Sequence, residues 1–292
     1  MFKSDIRERM VEVFQDTKKW YETDPRLQEA VKVGRQNTRL YQEGDDTDLP
    51  LPESREGAGK RTAKVLVTDH KTFETAMELS DRYPGKKTAV LNFASATRPG
   101  GGVLKGSRAQ EESLCRCSTL YPTLDRKWLY DKYYTVNRNR GDARYSDACI
   151  YSPGVIICKT DDDIPVRMEE KDWREVDVIS CAAPNLRAKP SNIYNPDAGK
   201  PLSLTDQELF NLHVKRARHI FRVAAANQVD ILVLGAFGCG AFQNDPRVVA
   251  RAYRQVTEEF RDFFDLIAFA VYCTPKDRKN YEAFKKYLGD LE

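Results

Sequence analysis

A chain of 292 residues with 41% hydrophobic and 31% charged residues can bury a sizeable core under a well-solvated surface, as one large domain or two modest ones. Its 47 basic and 44 acidic residues leave a net charge of +3, too even to indicate nucleic-acid or membrane binding from charge alone. No run approaches the ~18 apolar residues of a membrane span, and the charged start Met1–Arg9 has no apolar signal segment, so a cytoplasmic protein is expected.

Residues 4–20 and 25–42 read as two charged amphipathic helices, with Ile6, Met10, Val11, Val13 and Phe14 at near-helical spacing in the first. An acidic, proline-broken loop over 43–53 follows. Residues 1–60 are therefore expected to form an N-terminal helical extension and linker, and 61–292 the core. From Ala63 the chain alternates strand and helix: a strand over 63–67, a helix from Thr72 to Leu79, and a buried strand over 88–93. After the triple glycine Gly100–Gly102, Ser107 and Gln110 have capping-box spacing and predict a helix start. Leu124–Tyr134 reads as a second helix rich in aromatics. Two short strands broken at Ser152-Pro153-Gly154 are predicted within 148–158, and another strand over 176–181.

A proline-rich loop over 184–202 leads to the clearest helix, opened by the capping pair Thr205 and Glu208. Ile231–Gly235 is the strongest buried strand. Asp245-Pro246 then caps a helix, and a strand over 266–272 and a terminal helix from about 277 complete the pattern. The fold class expected is α/β, with a mixed or mostly parallel sheet covered by helices. Seven cysteines, several inside apolar runs, behave as small buried hydrophobes. They form no C-x-x-C pair, so neither metal nor cofactor is expected.

Two glycine-rich loops leave the ends of buried strands and enter helices, the arrangement that binds phosphates in open α/β sheets. In Gly101–Ser107 the lysine precedes the last glycine, which fails the P-loop order; Gly235, Gly238 and Gly240 reverse the dinucleotide-binding spacing. Glu111 and Glu112 stand near a helix start. There a helix terminus lowers a carboxylate pKa, whereas burial and a like charge raise it. Adjacent residues are too close to straddle a glycosidic bond as paired-carboxylate glycosidases do.

Gly100-Gly101-Gly102, seven residues, then Gln110-Glu111-Glu112 resembles the G-G-G-x(6–8)-Q-E-E signature of poly(ADP-ribose) glycohydrolases. Asn92–Ser95, Tyr151–Val155, Ala182–Asn185 and Gly235–Asn244 resemble the microbial-type branch, covering residues ~61–290 in order. The resemblance implies a macrodomain-like fold and hydrolysis of ribose–ribose O-glycosidic bonds in poly(ADP-ribose), releasing ADP-ribose from chain ends. It implies Glu112 as the residue that protonates the leaving hydroxyl and then deprotonates water, with Glu111 holding hydroxyls of the scissile ribose. It also implies substrate contacts from Asn92 at the distal ribose, Gly100, Gly101 and Gly102 through backbone amides, and Gln110. Gly235, Phe237, Gly238, Cys239, Gly240, Ala241 and Phe242 would wrap the diphosphate, Phe242 against the ribose. The partners implied are poly(ADP-ribose) or ADP-ribosylated proteins, with ADP-ribose as product and no membrane or direct nucleic-acid contact. A binding module that reads ADP-ribose is the other class, and removal of single ADP-ribose units a variant of the first. Two acids beside an anionic ligand favour the enzyme.

Overall fold

The computed structural model describes residues 3–44, 49, 51, 62–191 and 199–291. Most of the expected acidic loop (45–48, 50, 52–53) and the segment Asn192–Pro196 lie outside the described residues. Seven strands form one sheet: β1 (Arg39–Tyr41), β2 (Lys64–Thr68), β3 (Thr88–Phe93), β4 (Cys149–Ile157), β5 (Arg174–Cys181), β6 (Ile231–Gly235) and β7 (Leu266–Ala270). Their order is β1-β4-β5-β3-β6-β7-β2. The five strands from β5 to β2 are parallel, while β4 and β1 add antiparallel at one edge. The fold is thus the mostly parallel α/β sheet flanked by helices that the alternating pattern predicts.

Inner-strand residues alternate between two apolar layers, as a period of two requires. Leu91, Leu232, Leu234, Ile267 and Phe269 face the layer that holds Ile220, Phe221, Val249, Tyr253 and Phe284. These come from α8 (Asp206–Ala226), α9 (Pro246–Phe260) and α10 (Lys279–Leu288). Val90, Val233 and Ala268 face Phe14, Phe73, Leu79 and Leu114 on the other side. Those residues belong to α1 (Lys3–Thr23), α3 (Thr72–Arg82) and α4 (Gln110–Cys117). All seven cysteines are free thiols, five of them buried. Among the described residues no helix is long and apolar enough to cross a membrane.

Four local readings need correction. α2 is Pro25–Asn37 and stops short of 42: the Thr38 hydroxyl and N–H both donate to Gly34 O, and 39–41 turn into the edge strand β1. Ser107 caps nothing. The N-cap of α4 is Ala109, and the Gln110 side chain is spent on β3. The aromatic stretch 124–134 is interrupted at Asp125–Arg126, giving α5 (Tyr121–Leu124), α6 (Lys127–Leu129), a π-helical turn over Tyr130–Tyr134, and α7 (Thr135–Arg140). Residues 149–157 are one strand with a bulge between Ser152 and Val155. Gly154 takes φ +67° there and its N–H donates to Asp177 Oδ1 at 2.9 Å. A proline and a glycine in an antiparallel edge pair bend the ladder without ending it.

Because the inner strands are parallel, the loops after β3, β5, β6 and β7 leave the sheet at one edge, where a parallel sheet presents ligands.

Candidate active site

The first glycine loop follows β3. Gly100 and Gly101 take φ +63° and +55°, the left-handed region that side chains disfavour. A Cβ on Gly101 would sit 2.6 Å from Glu112 Oε1 and 3.0 Å from Glu111 Oε2. A Cβ on Gly102 would collide with the Ser107 hydroxyl. The triple glycine is therefore what lets both carboxyl groups converge on bare backbone. α4 holds them there through Gln110, whose Oε1 accepts from Phe93 N at 2.9 Å and whose Nε2 donates to Leu91 O at 2.8 Å and Thr72 Oγ1 at 3.1 Å.

Glu111 is 3% exposed and Glu112 7%. Glu111 Oε2 accepts from Ser95 N at 2.7 Å, and Asn92 Nδ2 lies 3.4 Å from its Oε1. Burial, followed by the neighbouring Glu112 charge, pushes the Glu111 carboxyl well above the usual carboxylate range. Glu112 Oε1 accepts from Gly102 N at 2.8 Å, but its Oε2 is buried with no protein partner. An unsatisfied buried carboxylate oxygen costs free energy unless a ligand completes it.

The second loop follows β6. Gly238 takes φ +78°, and a Cβ on it would come within 2.7 Å of Ala183 Cβ; Gly240 faces open space. Asn244 staples this loop, its Nδ2 donating to Pro184 O at 2.7 Å, Gly238 O at 3.0 Å and Phe242 O at 3.3 Å. Its Oδ1 is 2.8 Å from His213 Nε2, so that nitrogen carries the proton. Burial lowers the His213 pKa to about 4, leaving the imidazole neutral at physiological pH.

The two loops meet over a cleft of about 910 Å³. Of the residues expected at the site, Gly101, Gly102, Gln110, Glu111, Glu112, Gly238, Gly240, Ala241 and Phe242 line it, whereas Asn92, Gly100, Gly235, Phe237 and Cys239 do not. Asn92 is fully buried behind Glu111 and bonds Ser180 Oγ at 2.9 Å. Gly100 backs onto the Tyr121 ring, and Gly235 onto Ala270 O and Phe93. Phe237 is a core residue whose ring meets Phe93, His213 and Tyr253. The Cys239 thiol reaches Phe237 O at 3.7 Å.

Sequence reasoning missed other parts of the wall. Ile6, Arg7 and Met10 of α1 line the cleft, as do Arg108 and Arg116 beside Glu112. The Tyr272 ring also lines the cleft, 53% exposed just past β7, with Lys71 Nζ 5.4 Å from its centroid. One signal for α1 was available: Met10, Val13 and Phe14 belong to its apolar set at near-helical spacing, and all three are buried. Among the described residues one group could present metal ligands, His70, Glu74 and Glu78. It lies outside the cleft, and Glu74 Oε2 there accepts from Lys71 N.

Residues 10–160 match the family described as "Microbial-type PARG, catalytic domain". Among solved structures, poly(ADP-ribose) glycohydrolase from Deinococcus radiodurans in complex with ADP-ribose is 35% identical, with a TM-score of 0.72 over 90% of this chain and 98% of that one. The enzyme from Thermomonospora curvata bound to the inhibitor ADP-HPD is 30% identical, with a TM-score of 0.78 over 95% of this chain and 98% of that one. Without inhibitor the Thermomonospora enzyme gives a TM-score of 0.80 over 96% and 99%. No curated protein matches.

Proposed function

The chain belongs to the microbial-type poly(ADP-ribose) glycohydrolase family, and from that premise we propose that it hydrolyses ribose–ribose glycosidic bonds of poly(ADP-ribose) with Glu112 as acid and base. One observation carries the assignment. Glu112 Oε1 is pinned by Gly102 N while Oε2 is buried and unpartnered, so one oxygen fixes the carboxyl and the other is left for the substrate.

The chemistry follows from the pair. Two carboxyl groups converge on Gly101, and burial with the neighbouring Glu112 charge raises Glu111, so Glu111 keeps its proton more readily than an isolated acid. Glu112, entering the step as the acid, delivers a proton to the glycosidic oxygen as the C1–O bond breaks and an oxocarbenium ion develops. It then takes a proton from the water that attacks the same carbon. Glu111, tied to Ser95 N and Asn92, holds hydroxyls of the scissile ribose and fixes the ring against Gly101. Gly101 and Gly102 let the ribose approach bare backbone, their amides being engaged by Arg98 O and Glu112 Oε1, and the 238–242 loop receives the diphosphate, with the half-buried Phe242 against the ribose. Asn92, Gly100, Gly235, Phe237 and Cys239 act from behind this surface. Tyr272 offers the base an exposed ring in the same cleft.

The reading includes release from chain ends and a cytoplasmic location. It keeps residues 61–292 as the catalytic core and 1–60 as its extension, which lends β1 to the sheet and α1 to the cleft. The test is incubation of the protein with auto-modified poly(ADP-ribose) polymerase, following free ADP-ribose. Glu112→Gln should abolish release while ADP-ribose still binds; full activity in that variant refutes the mechanism. Release of long oligomers instead of ADP-ribose would refute chain-end cleavage. Binding without any release would make the protein a reader.

A further inference from the structure

Arg116 sits on α4 one turn beyond Glu112 and is 3% exposed, yet it forms no ion pair among the described residues. Among the described residues its guanidinium makes one hydrogen bond: Nη1 donates to Ser107 O at 2.6 Å, and Nε is buried with no partner. Burial pushes the neighbouring Cys115 and Cys117 thiols up and keeps them neutral, and Glu112, one turn back, acts on Arg116 through space without forming an ion pair with it. Buried cations are ordinarily paired, since an unpaired one forfeits its hydration. Arg116 nevertheless lines the cleft, and so does Arg108, an exposed arginine with no ion pair among the described residues. Both flank Ser107, which packs against Gly102 beside the Glu112 carboxyl. The carboxylates of this wall are engaged elsewhere or stand apart: Asp161 accepts from Ser113 Oγ at 2.8 Å, Asp163 is 3.9 Å from Lys71, and Asp162 pairs with neither arginine.

The scaffold around this spot is rigid. Thr17 of α1 donates to Arg116 O at 2.5 Å, and Gly106 is pressed against the backbone of Arg7. Lys159, 2% exposed at its side chain, ties α1 down through Asp16 at 2.8 Å and Val13 O at 2.8 Å. Ser107 and its two arginines belong to α4 and the turn that leads into it, beside the general acid, whereas the 238–242 loop assigned to the bound diphosphate is a separate part of the cleft wall.

We propose that Arg116 and Arg108 form an anion subsite on the leaving-group side of Glu112, which holds a phosphate of the polymer segment released by cleavage. The proposal rests on the hydrolase reading above. Each departing ribose carries the diphosphate of the next unit, so a fork of guanidinium N–H donors beside the general acid would orient the leaving hydroxyl toward Glu112 Oε2.

The test compares two substrates with the full chain: poly(ADP-ribose), and an ADP-ribosyl aryl ether whose leaving phenol carries no phosphate. Arg108→Glu should lower kcat/KM on the polymer about tenfold more than on the aryl ether, the loss expected for a charge-assisted contact. Its Kd for ADP-ribose should stay within about twofold of the parent, since the contact lies beyond the bound unit. Added salt should slow the parent on polymer more than it slows the variant. Arg116→Met should show the same substrate-selective loss with an unchanged or higher Tm, because it removes an unpaired buried charge.

Equal losses on the two substrates, or none on the polymer, would overturn the subsite. A lower Tm with equal losses would make Arg116 structural and overturn its part. Weaker ADP-ribose binding in Arg108→Glu would assign the arginines to the bound unit and overturn the leaving-side placement. Inactivity of the parent on both substrates would sink the hydrolase reading itself, and the subsite with it.

Discussion

The two glycine loops share a sheet edge and a left-handed backbone but are built on opposite principles. In the first, glycines clear space for charge: Gly101 has no Cβ because two carboxyl groups need its place. In the second, neutral groups do the holding, and Asn244 with His213 binds three carbonyls that would otherwise be free to drift. On the proposed mechanism the first loop serves proton transfer, and burial beside Glu112 leaves an electrostatic cost in Glu111. The second has a fixed shape, and on the same proposal it receives the anion. Chemistry and binding are thereby separated between two loops, and substitutions should separate them too.

The largest effect is expected from Glu112→Gln, which keeps shape but removes the proton. Turnover on poly(ADP-ribose) should fall by about a thousandfold, within the range of general acid–base catalysis, with little change in the Kd for ADP-ribose by calorimetry. Next comes Gly101→Ala. Its methyl group would displace both carboxyl groups, and a misplacement of about 1 Å can cost about a hundredfold in rate. The matched change, Gly238→Ala, pushes on Ala183 and Asn244 instead, so it should weaken ADP-ribose binding more than it slows turnover of bound substrate. If both alanine variants lose kcat alone, the division between loops is wrong.

How much of this was legible in the chain differs by level. β3 and β6 could be read to the residue, because fully buried parallel strands are unbroken apolar runs, and the Thr205/Glu208 and Asp245-Pro246 helix starts carry their own capping chemistry. The Gly100–Glu112 spacing placed the carboxyl groups. The roles of Gln110 and Asn244 were not legible as geometry, because each bonds to strands and loops distant in sequence. Phe237 was expected at the diphosphate because the family resemblance covers the whole Gly235–Phe242 loop, yet the packing of α8 and α9 shows that it faces inward. The α1 wall was hidden for the same reason: its docking depends on Lys159, more than a hundred residues away.

Asn244→Ala should come third. Three carbonyls lose their shared donor and His213 Nε2 loses its acceptor, so ADP-ribose affinity should fall about tenfold, the order expected for a buried polar network left open. Glu112 chemistry on bound substrate should be affected less, and an equal loss in kcat would show that the loops are mechanically one unit.

The smallest effect is a pair of opposite pH responses in stability. The Glu111 carboxyl is raised in the folded chain, so the stability tied to its protonated form is fully present below the unfolded carboxylate pKa and is lost as pH rises through the folded value. His213 is depressed from 6.5 to about 4, so its contribution is fully present above pH 6.5 and is lost as pH falls toward 4. Tm measured across this range should therefore rise on the alkaline side in Glu111→Gln relative to the parent, and fall less on acidification in His213→Gln. At about 2–4 °C per kcal/mol for a chain of this size class, each difference should be resolvable by calorimetry. If both variants gain over the parent on the same side of the pH range, the two groups do not carry opposite pH responses and the contrast between the loops is wrong.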